Sequence, residues 1–337
     1  MTGHSGTTGH SGMVGDGERA GRYRKWVRGA PSGYVAWEAA GLRWLAEARE
    51  GGGARVVEVY AVGAVHLDLE RLNPCQPTAA AAEDLGRALA HTHAAGASGF
   101  GAPPSGWHHA SGWLGPADEP LPLPTRAVGR WGEFYAEQRI EHTLALGQER
   151  GLWRSAVDAQ PFRAIADRLR HGDFDDGSPP ARIHGDLWSG NLIWTDTPEN
   201  LPADIADIAD AAVSRADAAV SRADAAVSRA DTAGSRPDAA VSRADTAGTA
   251  RLTAPVRAVL IDPAAHGGHP ETDLAMLALF GAPHLGRILA AYQEVSPLSD
   301  GWRECVNLHQ LHPVMLHAVL FGGGYVSRAR ALAEAYL

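Results

Sequence analysis

The segment His184-Gly-Asp186-Leu-Trp188-Ser-Gly-Asn191, followed later by Ile261-Asp262-Pro263, constrains this chain more than any other feature. It sets a carboxylate and an amide five positions apart in a short polar loop. A second carboxylate then stands at the end of an apolar run. Phosphoryl transfer from a nucleotide uses those three groups: one Asp accepts the proton of the attacking hydroxyl, while an Asn and a second Asp hold the magnesium that bridges the phosphates. The Asp-to-Asn spacing equals that of the kinase catalytic loop. The first expectation is therefore a fold that brings Asp186, Asn191 and Asp262 together, and the first reading is a kinase.

Asp186 and Asp262 lie 76 residues apart, which is long for one loop-and-strand unit. A low-complexity insertion accounts for the excess. From Asp210 a seven-residue unit, Asp-Ala-Ala-Val-Ser-Arg-Ala, recurs with Asp at 210, 217, 224, 231, 238 and 245. A coiled coil needs two apolar seam positions per heptad. This unit offers only Val and small Ala, and Gly234, Pro237 and Gly248 interrupt the later copies. The segment 197–254 reads as a repeat-expanded insertion without a packed core. Removing its 58 residues leaves a separation of 18, the length of a short hairpin with strands at Asn191–Trp194 and Val256–Ile261. A hairpin tip tolerates such an insertion.

The front of the chain reads as the small lobe of a kinase. Tyr23–Val27 can form a strand carrying Lys25, and residues 34–50 a helix with Val35, Glu38, Leu42 and Leu45 on one stripe. Glu38 thus falls among apolar positions, where an unpaired charge is costly. Lys25 is its candidate partner, because a strand Lys in kinases binds phosphates and pairs with a helix Glu. Two further strands are expected at Val56–Val62 and Val65–Leu72. Asn73-Pro74 then marks a hinge, with backbone groups of Glu70 and Leu72 facing the adenine edge. From Thr78 the pattern is mostly helical, beginning with Ala82, Leu85, Leu89 and His93 on one face. The fold class expected is α+β and two-lobed, protein-kinase-like. It has a shortened antiparallel-sheet N-lobe at 13–72 and a mostly helical C-lobe at 73–337.

Other classes find less support. A formal net charge of −9 argues against a nucleic-acid surface. No apolar run reaches membrane-spanning length, and Met1–Gly12, with Thr-Gly-His-Ser-Gly given twice, reads as a flexible tail and not a signal peptide. Cys75 and Cys305 stand far apart and read as free thiols, consistent with a cytoplasmic protein. Sixteen histidines raise a metal hypothesis, but His91-x-His93 points to two helix faces and no His-Glu-x-x-His is present. His108-His109, His266/His269 and His309/His312 read as core or loop residues. No Gly-x-Ser-x-Gly elbow supports a serine hydrolase. Trp37 and Trp44, seven apart on the helix, read as packing residues.

Four stretches together resemble the fructosamine kinase family: Arg182–Trp194; Ile261-Asp-Pro-Ala-Ala-His266-Gly-Gly-His269-Pro-Glu271-Thr-Asp273-Leu-Ala-Met-Leu-Ala-Leu-Phe280-Gly281; Glu38-Ala-Ala-Gly-Leu-Arg-Trp-Leu; and Trp131-Gly-Glu-Phe-Tyr-Ala-Glu-Gln-Arg139. The resemblance runs from about Tyr23 to the C-terminus, leaving out the insertion. It implies ATP- and magnesium-dependent phosphorylation of a sugar hydroxyl on a ketosamine, free or protein-bound. By that resemblance Asp186 is the base, Asn191 and Asp262 are the magnesium ligands, and Lys25 and Glu38 position the phosphates. Trp188 packs against the sugar or its amine substituent, while His184 and Asp273 orient the catalytic loop. The chain departs from the family before Lys25, where a strand and a glycine-rich turn are expected. Gly15-Asp-Gly17-Glu-Arg-Ala20 mimics such a turn only eight residues ahead of the Lys. Two alternatives follow: an aminoglycoside- or choline-type acceptor, and a catalytically impaired binding protein.

Overall fold

The computed structural model describes residues 21–199 and 254–337. The tail at 1–12, the Gly15–Ala20 pattern and the heptad repeat lie outside them. The described elements fall in a compact unit that joins the chain up to Asp196 with the chain from Pro255.

Strand β1 (Arg22–Trp26), β2 (Val59–Val62) and β3 (His66–Glu70) form an antiparallel sheet in the order β1-β3-β2. Lys25 stands opposite Leu67, and the β2–β3 register slips between Val59 and Ala61. Helix α1 (Tyr34–Ala46) continues as a 3-10 turn through Gly51, ending the α-helix a few residues before the expected 50. Its apolar and Glu38 stripe packs with Val27, Leu67 and Leu69 of the sheet. Trp37 and Trp44 are buried as well, so α1 is enclosed on nearly every side. Trp37 meets Trp107 at a ring distance of 5.2 Å, and the backbone of β4 (Ser111–Leu114) passes so close that a side chain at Gly112 would strike the indole.

Helix α2 (Ala79–Ala94) starts at Thr78, whose hydroxyl accepts the Ala81 N–H at 3.1 Å and so satisfies one orphan donor of the first turn. Ala82, Leu85, Leu89 and His93 are all buried along it. The following region is less uniformly helical than the sequence pattern suggests. The ribbon β4–β5 (β5, Leu121–Pro124) intervenes, and the helix that follows changes pitch. It is α over Trp131–Phe134 (α3), π-wound over Tyr135–Glu141, then α again over His142–Glu149 (α4). Helix α5 (Ala156–His171) packs on the π-wound turn.

Two ribbons then build the site. Strand β6 (Ala181–Ile183) pairs with β9 (His266–Gly268), and β7 (Leu192–Thr195) pairs antiparallel with β8 (Arg257–Leu260). The second pair is the hairpin whose flanks the sequence marks, and its far end lies outside the described residues. Helices α6 (Pro270–Leu279), α7 (Leu285–Val295), α8 (Trp302–Phe321) and α9 (Gly324–Glu334) complete the chain. Leu85 and Leu89 of α2 share a core with Leu192, Leu260, Ile288 and Tyr292, so α2 and α7 together back the β7–β8 ribbon. Cys75 and Cys305 are free thiols. Among the described residues, no helix is long and apolar enough to cross a membrane.

Candidate active site

Two connections place the residues of the His184–Asn191 motif and Asp262. The loop between β6 and β7 carries His184 to Asn191, and the turn between β8 and β9 carries Asp262. Because β6 pairs with β9 and β7 with β8, loop and turn emerge side by side. Asn191 ties them: its Nδ2 donates to the Asp186 carbonyl at 2.8 Å, to Asp186 Oδ2 at 3.1 Å and to the Asp262 carbonyl at 3.4 Å. The structure thus brings Asp186, Asn191 and Asp262 into one cluster.

Strand β1 and helix α1 supply a cation to it. Lys25 Nζ donates to both Glu38 oxygens at 3.0 Å and to Asp262 Oδ1 at 2.7 Å. Burial by itself would lower the lysine's pKa, but the two carboxylates outweigh it and hold the ammonium charged beyond its ordinary range. Glu38 is 5 % exposed and finds in Lys25 the partner its position demands. Gly41 lets α1 approach: a side chain there would sit 3.1 Å from Pro263 and 3.2 Å from Ala265. Asp262 adopts φ 52°, a left-handed conformation that Asp tolerates better than most residues but still at a cost. Its carboxylate is 42 % exposed, so the cluster opens toward solvent on that side.

Asp186 is only partly exposed, and burial pushes its carboxyl up to about 7 against the Asn191 hydrogen bond. His184 is buried and bridges the two connections. Its Nδ1 accepts the Asp186 N–H at 3.3 Å, and its Nε2 therefore donates to the Ile261 carbonyl at 2.9 Å. Burial also lowers its pKa, favouring the neutral ring that this arrangement needs. Asp273, at the start of α6, accepts the His184 N–H at 2.7 Å and the Gly185 N–H at 2.9 Å. Gly185 has φ 80°, and a Cβ there would lie 2.3 Å from the Ala264 carbonyl, so only glycine fits.

Trp188 follows the loop outward, its indole folded over Gly190, where a Cβ would lie 2.3 Å from the ring. It meets Phe280 edge-on at 6.0 Å, and Phe280 in turn lies 5.1 Å from His317, beside Phe321 and Tyr325. This aromatic wall escaped the sequence reading. Its members come from the loop after β6, the end of α6, and helices α8 and α9, and only Trp188 and Phe280 lie in the stretches that carry the resemblance. Tyr34 was also missed. Its hydroxyl donates to the Gly115 carbonyl at 2.9 Å, and burial raises its pKa to about 12 in the field of Lys25, Glu38, Asp262 and Asp186.

Glu70 and Leu72 differ from each other. The Glu70 N–H donates to the Glu58 carbonyl at 2.9 Å and its carboxylate pairs with buried Arg55 at 2.5 Å. Among the described residues, Leu72 makes no backbone hydrogen bond to the protein. Of the histidine pairs, His266, His269, His309 and His312 are buried and His108 and His109 exposed. His269 and His309 meet Glu271 with possible ligand atoms within 4.8 Å of one another. The histidine chemistry there is already spent. His269 Nδ1 accepts the Glu271 N–H as the cap of α6, which puts its proton on Nε2 facing Asp176, and His309 Nδ1 bonds Thr272. A cation would also meet the positive end of α6.

The chain resembles known proteins along most of its length. The fructosamine kinase family profile matches residues 29–217 and 242–337. The probable ketoamine kinase of Synechocystis sp. is 25 % identical over 74 % of this chain and 59 % of its own length. That of Klebsiella aerogenes is 28 % identical over 64 % and 52 %. The chain thus spans between half and three fifths of these curated relatives. A crystal structure from Thermobifida fusca, named for fructosamine-3-kinase, superposes with a TM-score of 0.67 at 35 % identity, covering 93 % of this chain and 84 % of that one. One from Haemophilus somnus shares the fold at 19 % identity and a TM-score of 0.58. The chain belongs to the fructosamine kinase family.

Proposed function

We propose that this chain transfers the γ-phosphoryl group of ATP to a sugar hydroxyl of a ketosamine, on a two-lobed scaffold in which 13–72 form the nucleotide lobe and 73–337 the catalytic lobe. The observation that carries the reading is the convergence on Asp262, whose carboxylate takes Lys25 Nζ and whose carbonyl is touched by Asn191, itself hydrogen-bonded to Asp186. The donor set fits magnesium. The Asn191 amide nitrogen is occupied by Asp186 and Asp262, which leaves its carbonyl oxygen for a cation beside the half-exposed Asp262 carboxylate. Oxygen ligands of this kind suit a hard divalent ion. When bound, such an ion neutralises phosphate charge.

The protein groups then divide the work. Lys25, held by Glu38, supplies a fixed positive charge for phosphate oxygens. Asp186 accepts the proton of the attacking hydroxyl, and a pKa raised toward neutrality makes it a better base than an ordinary carboxylate. His184 and Asp273 hold the loop peptides so that this carboxylate stays in place. The acceptor lies against Trp188 and Phe280. Phe280 is 37 % exposed and Phe321 63 %, a wall suited to a sugar face and to the positive charge of a ketosamine amine. Incubation with ATP, magnesium and a fructosyl-amine should release ADP and a phosphorylated ketosamine. Asp186→Asn should abolish it. Undiminished turnover in that variant would overturn the base assignment, and no turnover with any ketosamine would overturn the acceptor class.

A further inference from the structure

We infer that Arg328 of α9 binds a carboxylate of the acceptor, so that the ketosamines taken here are adducts of a free α-amino acid. The inference rests on the kinase reading above and narrows its acceptor.

The aromatic wall ends in a cation. Trp188 meets Phe280 at 6.0 Å, Phe280 meets His317 at 5.1 Å, and His317 meets Tyr325 of α9, also at 5.1 Å. Arg328 follows Tyr325 by three positions, a spacing that sets two side chains on one face of a helix. Burial, with the charge of Arg328 adding to it, lowers the pKa of the His317 ring. Arg328 is exposed, and among the described residues its guanidinium forms no hydrogen bond or ion pair. Its neighbours differ in this respect. Arg330 is held by Glu334 at 2.7 Å and Asp158 at 3.1 Å, and Arg150, which reaches the Val319 carbonyl of α8, is paired with Glu119.

His317 adds a complementary group. Its Nδ1 donates to the Pro313 carbonyl at 2.8 Å, so in the neutral ring Nε2 is an acceptor, and it has no protein partner among the described residues. An acceptor for a protonated amine and a donor for an anion therefore stand next to each other. Among the described residues, no Asp or Glu bonds to His317 or Arg328.

That pairing selects among ketosamines. An adduct formed at an α-amine carries its carboxylate on the carbon bonded to the amine nitrogen. From Asp186 through Trp188, Phe280 and His317 to Arg328, the residues follow the order of groups in such a molecule: reacting hydroxyl, sugar, amine, carboxylate. A planar guanidinium matches a carboxylate with two parallel N–H bonds. A lysine side-chain adduct holds its carboxylate far from the amine, and within a protein that group is consumed in a peptide bond. A polycationic aminoglycoside would bring ammonium groups against the guanidinium.

The test compares N-fructosylglycine with N-fructosylglycinamide, which has the same shape but a neutral amide, in ATP-dependent ADP release. In the wild-type chain kcat/KM should favour the glycine adduct by roughly fivefold to tenfold. Arg328→Gln should bring that ratio close to one through a higher KM for the glycine adduct, while KM for ATP holds. Arg328→Lys, which keeps the charge and loses the fork, should fall between the two. A wild-type ratio near one, or a ratio that survives in Arg328→Gln, would overturn the inference. If neither adduct is phosphorylated, the failure belongs to the acceptor reading above, and calorimetric binding of the glycine adduct in the presence of magnesium and a non-hydrolysable ATP analogue decides the inference alone. Tighter binding to the wild type than to Arg328→Gln would uphold it; equal affinities, or no binding, would overturn it.

Discussion

Replacing the proposed base should make the protein more stable while abolishing its chemistry. The Asp186 carboxyl is pushed up to about 7, chiefly by burial, with Asp262 and Asp273 adding to the effect and the Asn191 hydrogen bond opposing it. In the unfolded chain an Asp titrates near ~3.9. The folded state therefore binds this proton more tightly. Stability from the group is complete below about 4 and is lost as pH rises through about 7. The gap sets a ceiling of ~4 kcal/mol, and partial solvent contact of the carboxylate reduces the expected value to ~2 kcal/mol. Asp186→Asn removes the charge and keeps an oxygen to accept the Asn191 N–H. Urea unfolding in EDTA, at constant ionic strength, should show the variant more stable by ~2 kcal/mol at pH 8. At pH 5 only part of that gain should remain. A variant no more stable than wild type at pH 8, or an advantage that does not shrink at pH 5, would refute the account of Asp186 as a carboxylate held in the wrong solvent for the sake of catalysis.

Lys25→Met strands buried Glu38 without its partner and should cost ~3 kcal/mol by urea midpoint; adding Glu38→Leu should restore most of that loss, and neither variant should show a thermal shift with ATP and magnesium. The kcat/KM of the wild type should rise with pH as Asp186 deprotonates, with an apparent pKa below about 7 once the magnesium charge is present; a profile flat from pH 5 to 8 would contradict the base assignment. Gly190→Ala places a methyl group where the Trp188 indole lies, so it should raise KM for the ketosamine several-fold and leave KM for ATP unchanged. Phe280→Ala should do the same through the other side of the wall, and an effect on ATP alone would put that wall in the wrong place.

What the sequence disclosed follows from where the physical constraint lies. Asp186 and Asn191 share one loop, so their spacing fixes their geometry before any tertiary contact is known. Glu38 announced itself because a carboxylate in an apolar helical stripe must be paired, and Lys25 is there at 3.0 Å. The hairpin could be read through its insertion because Leu192–Thr195 and Arg257–Leu260 each carry their own strand pattern. Groups that depend on distant partners were silent. The Glu70 N–H bonds the Glu58 carbonyl beside a bulged register that no local pattern encodes. Trp37 reads as a packing residue and is one, but the sequence does not say against what: the β4–β5 ribbon, which has no strong alternation of its own, covers it. His93 fitted the buried face of α2 as one more packing residue, and only the meeting with Asp273 and Tyr292, each about 180 to 200 positions away, gives its ring a direction. Local spacing therefore named the groups proposed to touch the phosphate. The groups that hold those in place come from helices remote in sequence, since a loop cannot brace itself.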